Sequence, residues 1–164
     1  MKVLLTLLFS IFSISISAAE LSKQEIEKKF NLPAQPNPKF QDVTVYGIDT
    51  NKNGIRDEIE RAITFRFYNN SFDLTHLLEL SMLMSASMAQ TMDFNYKAVD
   101  PKKVIANSNK IVKQIICYVR KGGLEAANNV DVLTKIQVNT YERQISYNDV
   151  KNFSNIKEDQ IKCD

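Results

Sequence analysis

The sequence predicts a mainly α-helical protein: a single small helical domain that follows an extended, proline-rich N-terminal arm. Two long stretches, residues 72–93 and 101–119, carry apolar side chains at the spacing of an amphipathic helix. No internal repeat, long linker or low-complexity tract interrupts the chain. We therefore expect residues 20–46 to form a short helix and the arm, and residues 47–164 to form the helical domain.

The first nineteen residues have the pattern of a secretory signal peptide. Lys2 provides a positive start, an apolar run follows, and the small residues 17–19 form a cleavage site before Glu20. The apolar run is short for a membrane span, and no later segment is apolar enough to cross a bilayer. We expect residues 1–19 to be removed and the mature protein to be periplasmic or secreted, with no membrane span.

The charge of the chain gives no reason to expect a nucleic-acid partner. The formal net charge is +2, and removal of Lys2 with the signal peptide leaves +1. Such a near-neutral balance of mixed signs lacks the basic surface that nucleic-acid binding requires. The roughly 145 residues that remain are enough for one domain with its own core.

The arm begins with a helix signal and continues with helix breakers. Ser22 and Glu25 have the spacing of a capping box, which predicts a short helix that ends near Phe30. Residues 31–40 contain three prolines, so we expect them to be extended. Residues 40–48, FQDVTVYGI, are rich in β-branched residues and predict a strand-like conformation.

Oxygen-bearing side chains recur at alternate positions in residues 49–60, DTNKNGIRDEIE, and Gly54 lies where the backbone must turn sharply. Calcium binds six to eight oxygen ligands at about 2.3–2.6 Å, and a tight loop of this kind can supply them. Asp57 would contribute directly or through a water, and Glu60 would contribute both carboxylate oxygens. The predicted ligands are Asp49, Asn51, Asn53, the Ile55 carbonyl, Asp57 and Glu60.

These twelve residues resemble the calcium loop of EF-hand proteins, whose pattern is D-x-[DN]-x-[DN]-G-x5-E. With Asp57 included, they are also similar to the aspartate-rich loops of thrombospondin type 3 repeats. The resemblance implies calcium as a cofactor and implies no particular fold. Arg56 departs from the EF-hand pattern, because an apolar residue that pairs with a second loop usually stands there. The alternative interpretation is an ordinary turn of Asn, Asp and Gly that caps the next helix.

The combination of signal peptide, GIDTNKNGIRDEIERAI and NTYERQISY also resembles a group of uncharacterised bacterial secreted proteins. That resemblance implies export and brings no known activity.

Helices should follow the loop almost without interruption. The first should run from about Asp57 to Tyr68. Asp100 and Pro101 predict the start of another helix, which Gly122 and Gly123 should end. A last helix should begin at a capping box formed by Asn139 and Glu142.

The helix over residues 72–93 contains residue types that can bind copper and residue types that can act in acid–base catalysis. Its methionines stand at spacings that exported copper carriers use, although such a stripe is also typical of core packing, which we expect here. The stripe consists of Met82, Met84, Met88 and Met92. His76 is the sole histidine, and Ser81 and Asp73 on the same helix cannot complete a catalytic triad with it. We therefore expect no catalytic residue in this helix.

Two cysteines, Cys117 and Cys163, predict a disulfide in an exported chain. The bond would close a loop of roughly 45 residues and contribute about 3–4 kcal/mol on the chain-entropy model. Free thiols or a bond between two molecules are the alternatives.

These observations predict an exported calcium-binding protein, not an enzyme, that acts through surface contacts with a protein partner in the cell envelope. One alternative is a small muramidase-like hydrolase of envelope polymers, which would need two facing carboxylates in a deep cleft. A periplasmic inhibitor or immunity protein is another, suggested by size, export, helicity and the disulfide. A convex surface with exposed apolar side chains would favour the binding functions.

Overall fold

The computed structural model describes residues 20–95 and 100–163, and within these ranges it contains six α-helices and no strand. The mainly α fold predicted from the sequence is therefore confirmed. The predicted signal peptide, residues 1–19, lies outside the described residues. The helices are α1 (Lys23–Lys29), α2 (Pro38–Gln41), α3 (Asp57–Phe67), α4 (Ser71–Asn95), α5 (Pro101–Gln137) and α6 (Tyr141–Phe153), and a 3₁₀ turn covers Glu158–Gln160.

Helix α4 lies at the centre of the domain and packs against α3, α5 and α6. Its most buried side chains recur at intervals of three and four residues, as expected for a helix with neighbours on several sides. Met84 and Met88 are both 1% exposed and fill this core, whereas Met82 is 41% exposed. No helix in the described ranges is both long and apolar enough to cross a membrane.

The prediction that Gly122 and Gly123 end a helix is correct for the break itself, but it missed the second helical segment that follows. Asp100 caps the N-terminus of α5 as predicted, its side chain accepting from the Lys102 amide at 2.9 Å. The helix kinks at Gly123, where φ is +65° and ψ is −146°, and then resumes as far as Gln137. The second half was missed because two of its core positions, Asn129 and Gln137, are polar and interrupt the apolar stripe.

The predicted cap of the last helix is displaced by one residue. Thr140, not Asn139, is the N-cap of α6, and its side chain accepts from the Arg143 amide at 3.3 Å. Asn139 is engaged elsewhere, donating to Asp42 at 3.1 Å and accepting from Arg143 at 2.5 Å. Asn139 therefore helps to attach the arm.

The N-terminal arm is only partly as predicted. The capping box of Ser22 and Glu25 is present and α1 ends at Lys29. The strand-like segment is absent: Asn37 and Pro38 start the single turn α2, and bends follow through residue 46. Because no neighbouring strand is available among the described residues, the carbonyls of this segment bond to the arginine side chain of α6 instead.

The predicted disulfide between Cys117 and Cys163 is confirmed, with Cα atoms 5.4 Å apart. It fixes the C-terminal tail on α5. Arg120 adds to this attachment by donating to the Ile161 carbonyl at 2.8 Å and the Glu158 carbonyl at 3.1 Å. The Ile161 side chain is buried, so the tail is part of the folded domain.

Candidate calcium loop and its anchors

Asp49 organises the first half of the candidate calcium loop, residues 49–60. One carboxylate oxygen accepts from the Asn53 amide at 3.2 Å and the other accepts from the Gly54 amide at 2.8 Å. Gly54 has a φ of +84°, which a residue with a side chain adopts only at a cost. The turn is thus set by Asp49 and by the absence of a side chain at Gly54.

Glu60 closes the loop from the first turns of α3. The side-chain amides of Asn51 and Asn53 donate to its two carboxylate oxygens, each at 3.0 Å. Burial raises the pKa of Glu60; the two amides oppose the increase, and the charges of Asp57 and Asp49 add to it. The two asparagines, Asp49 and Glu60 therefore form one hydrogen-bonded set.

Asp57 is buried and has a different role in this conformation. Its carboxylate accepts from the Thr50 amide at 2.9 Å and from the Thr50 hydroxyl at 2.6 Å. The Asp57 amide donates to the Ile48 carbonyl at 2.8 Å, so both ends of the loop are tied together. Both Asp57 oxygens are thus already bonded within the protein.

The middle of the loop is anchored in the core by Ile55 and Arg56. The Ile55 side chain is buried, and its amide donates to the Asn53 side chain at 2.8 Å. Arg56 is only 2% exposed and donates to the Gln137 carbonyl at 2.9 Å and the Gln137 side-chain oxygen at 3.0 Å. Because Gln137 is the last residue of α5, Arg56 satisfies a carbonyl that the helix end would otherwise leave unpaired.

This anchor continues into α4. The Gln137 amide group donates to the Ser81 hydroxyl at 2.6 Å and to the Ser81 carbonyl at 3.1 Å. Burial, together with the charge of Arg143, lowers the pKa of Arg56 to about 10, although Glu58 and Asp42 oppose the decrease. The guanidinium still remains protonated at neutral pH. Arg56, the residue that departs from the EF-hand pattern, therefore joins the loop to the helical domain.

Two further arginines attach the arm to the helices. Arg143 of α6 is fully buried and donates to Asp42 at 2.6 Å, to the Gln41 carbonyl at 2.7 Å and to the Thr44 carbonyl at 3.0 Å. Burial would raise the pKa of Asp42, but the hydrogen bonds from Arg143 and Asn139 outweigh it and the pKa is lowered.

Arg61 of α3 holds the earlier part of the arm. It donates to the Pro33 carbonyl at 2.6 Å and to the Gln35 side chain at 3.0 Å, and it forms an ion pair with Glu27. The arm is therefore fixed by two buried cations that bond mainly to its backbone and polar side chains.

The sequence did not single out Arg61 or Arg143, and it marked Arg56 only as a departure from a pattern. A signal was present for Arg56: it precedes Ile59 and Ile63 by three and seven residues, on the same predicted helix face. An arginine on an apolar stripe is a candidate for a buried anchor.

The described residues show no catalytic arrangement around His76. Its Nδ1 bonds to the Phe72 carbonyl at 2.8 Å, and its ring stacks on Tyr118 with centroids 5.4 Å apart. Asp73 instead accepts from the Tyr118 hydroxyl at 2.5 Å. Burial and the contact with Asp73 raise the pKa of Tyr118. These contacts are typical of side chains that pack at the edge of a hydrophobic core.

Four of the surface cavities in the described part of the chain have volumes of about 170–390 Å³, and among these four only one is lined by a carboxylate. That residue is Asp49, in a cavity beside the candidate calcium loop. The facing carboxylates that a glycoside hydrolase requires are thus not found in these cavities.

The described residues contain no group of three or more His, Cys, Asp or Glu side chains placed to hold a metal ion. A calcium ion in the loop would accordingly depend on the asparagine side chains and a backbone carbonyl as well as on Asp49 and Glu60. Comparison of the chain with protein-family models, with curated proteins and with solved structures found no match.

Proposed function

We propose that the mature chain is an exported calcium-binding protein that acts through surface contacts with a protein partner in the cell envelope. The observation that carries this proposal is the hydrogen-bonded set in the loop, in which Asn51 and Asn53 contact both oxygens of Glu60 while Asp49 fixes the turn. This set joins four of the six predicted ligands, and oxygen ligands of these kinds suit calcium.

Asp49, Asn51, Asn53, the Ile55 carbonyl and Glu60 would hold the ion. Asp57 would join them directly or through a water, because each of its oxygens keeps a lone pair beside the hydrogen bond from Thr50. Asp49, Asp57 and Glu60 then supply the negative charge. We expect a weak affinity at the extracellular end of the range, with Kd about 0.1–1 mM.

Calorimetric titration of chelator-treated protein with calcium tests the proposal. We expect one site, and we expect Glu60→Gln to abolish the heat because Glu60 is the only bidentate ligand of the set. Glu142→Gln, an exposed position on α6, is the matched control and should bind like the parent. The absence of heat and of any thermal shift at about 10 mM calcium would refute the proposal.

Calcium should stabilise the existing fold rather than open it. The loop is already tied to α5 through Arg56, and a lone loop lacks the paired partner through which EF-hand sensors expose a groove. We expect calcium to raise the melting temperature with almost constant helix content by circular dichroism. A large calcium-dependent increase in the binding of an apolar dye would contradict this role.

Exposed apolar side chains support a function based on surface contacts. Phe40, Val43 and Tyr46 of the arm are 53–69% exposed, and Tyr141 of α6 is 72% exposed. Aromatic residues such as Phe40, Tyr46 and Tyr141 are enriched where proteins meet partners. Export is supported by the disulfide, because such bonds persist in oxidising compartments. Pull-down from an envelope extract with the mature protein would identify the partner.

A further inference from the structure

A groove of about 370 Å³ lies between α3 and the second half of α5, and Leu77 of α4 is fully buried at its floor. Its volume is within the range of about 300–1,000 Å³ that is usual for ligand sites. The apolar side chains of its rim that are only partly buried are Phe65, Val132 and Ile136. The groove therefore leaves apolar surface in water that a small ligand can cover.

The two polar residues of the lining, Arg66 and Asn129, lie at the same end of the groove. Asn129 donates to a tyrosine hydroxyl whose other partner is Asp73, near the start of α4 and so near the end of α3. At the opposite end, the Ile136 carbonyl accepts from Arg56, which directly precedes α3, at 3.4 Å. Helix α3 and this part of α5 thus run in opposite directions, and the groove is polar at one end and apolar along the rest.

The edge of the groove that α3 forms is positively charged. Arg66 is exposed, and its guanidinium lies 5.5 Å from the centre of the Phe67 ring, which also lines the groove. None of the ion pairs within the described residues includes Arg66. Lys23 adds a second cation, with its Nζ 5.4 Å from the centre of the Phe65 ring. This edge suits a ligand with a negative head group.

The acidic residues of the neighbouring part of α5 do not occupy the groove. Asp131 is paired with Lys135 at 2.6 Å. Glu125, one turn before Asn129, is exposed and does not contribute to the lining, so water and salt screen its charge. An anion can therefore approach Arg66.

The dimensions of the groove favour a small molecule over a protein. A stable protein interface covers about 800 Å² of each partner. The exposed large apolar side chains of the described residues, such as Phe40 and Tyr141, do not line the groove, so no wider apolar patch surrounds it there. The lining on α5 runs from Asn129 to Ile136, about 10 Å at 1.5 Å per residue, which is the length of an extended alkyl chain of about eight carbons.

We propose that this groove binds a free medium-chain fatty acid. The carboxylate lies at Arg66, and the alkyl chain runs along the apolar lining toward Ile136. The groove shares no residue with the candidate calcium loop, residues 49–60, so this proposal and the calcium proposal fail independently.

Calorimetric titration of chelator-treated protein with octanoate, octanol and octyltrimethylammonium tests the proposal, because the three compounds share a chain and differ in the charge of the head group. Octanoate should bind about fivefold more tightly than octanol, the gain expected for an exposed ion pair, and the cation should bind most weakly. Hexanoate should bind about tenfold more weakly than octanoate, because two fewer methylenes are buried. Equal binding of the three head groups, or no heat with octanoate at about 10 mM, would overturn the proposal.

Two pairs of variants at exposed positions locate the ligand. Arg66→Gln should remove the preference for octanoate over octanol, whereas Lys113→Gln, at an exposed position of α5 outside the lining, should keep it. Ala62→Glu places a carboxylate beside the alkyl chain and should weaken octanoate and octanol alike, whereas Ala106→Glu outside the lining should bind like the parent. Unchanged binding in both Arg66→Gln and Ala62→Glu would place the ligand elsewhere and refute the proposal.

Two other occupants give different results with the same proteins. A dimer in sedimentation that Ala62→Glu breaks and octanoate leaves intact would make the groove an interface between copies of this chain. Binding to phosphatidylglycerol vesicles that Ala62→Glu abolishes, without heat from octanoate, would make it a membrane-contact site. Either result would overturn the proposal, and the series of compounds on the parent protein decides it even if a variant fails to fold.

Discussion

Removal of the Arg143 side chain should release residues 41–45, the end of the arm, from the helical domain. In Arg143→Ala the Gln41 and Thr44 carbonyls lose charged donors at 2.7 and 3.0 Å. The side chain of Asp42 is 40% exposed, so water replaces much of what it loses, and its ion pair contributes little by itself. The main cost therefore lies in the backbone acceptors and in the space left by a fully buried side chain.

The magnitude follows from the bonds that are lost. Hydrogen bonds from a charged donor contribute about 1.5–3 kcal/mol each, so the loss of two gives a destabilisation of about 3–6 kcal/mol. That is a large part of the roughly 5–15 kcal/mol by which domains of this size are stable. Arg143→Lys should recover only part of it, because an ammonium cannot reach the several acceptors that the guanidinium spans.

Urea unfolding followed by circular dichroism measures the stability change, and limited proteolysis with mass spectrometry shows where the chain opens. Trypsin cleavage after Lys39 should become faster in Arg143→Ala, because Lys39 lies in the arm just before the held segment. Arg66→Ala is the control: Arg66 is exposed, its guanidinium lies over the Phe67 ring, and its loss should cost less than about 1 kcal/mol. A change below about 1 kcal/mol in Arg143→Ala, with unchanged cleavage, would refute the reasoning.

Two further predictions concern the tail and the loop. Replacement of Cys117 and Cys163 by serine should lower the free energy of unfolding by about 4 kcal/mol, the value that the chain-entropy model gives for a separation of 46 residues. Urea unfolding measures this change. An unchanged urea midpoint would show that Arg120 and Ile161 hold the tail without the disulfide. The pKa of Glu60 is raised above the ordinary glutamate value of about 4.3, and protons compete with calcium for its carboxylate. As the pH is lowered, the calcium affinity should therefore begin to fall while the pH is still above that ordinary value. Calorimetry between about pH 7 and pH 5 checks this, and a constant affinity would argue against Glu60 as a ligand.

The elements that the sequence predicted well are those with local causes. The Ser22–Glu25 capping box and the Asp100–Pro101 helix start need only neighbouring residues, and both are present. The disulfide was predictable because two cysteines allow one intramolecular pairing. The hydrogen bonds of residues 49–60, such as that from the Gly54 amide to Asp49, also connect near neighbours, and calcium binding by this loop stays a prediction.

The features that were missed depend on distant partners. The strand-like expectation for residues 40–48 failed because β-propensity has no effect without a neighbouring strand, whereas Arg143, about a hundred positions later, offers donors. The continuation of α5 past Gly123 was hidden because Asn129 and Gln137 occupy core positions as polar residues. Their partners, Tyr118 and Arg56, cannot be identified from sequence spacing.

The attachment of the arm imposes an order on folding. The bonds between Arg143 and residues 41–45 join positions separated by 98–102 residues, so they form only after α6 exists. A chain that leaves a ribosome or a translocation channel N-terminus first presents the arm early and its anchor late. During that interval Phe40, Val43 and Tyr46 belong to an undocked segment that proteases and chaperones can reach. Residues 41–45 are therefore made early and reach their final position only after α6 has formed.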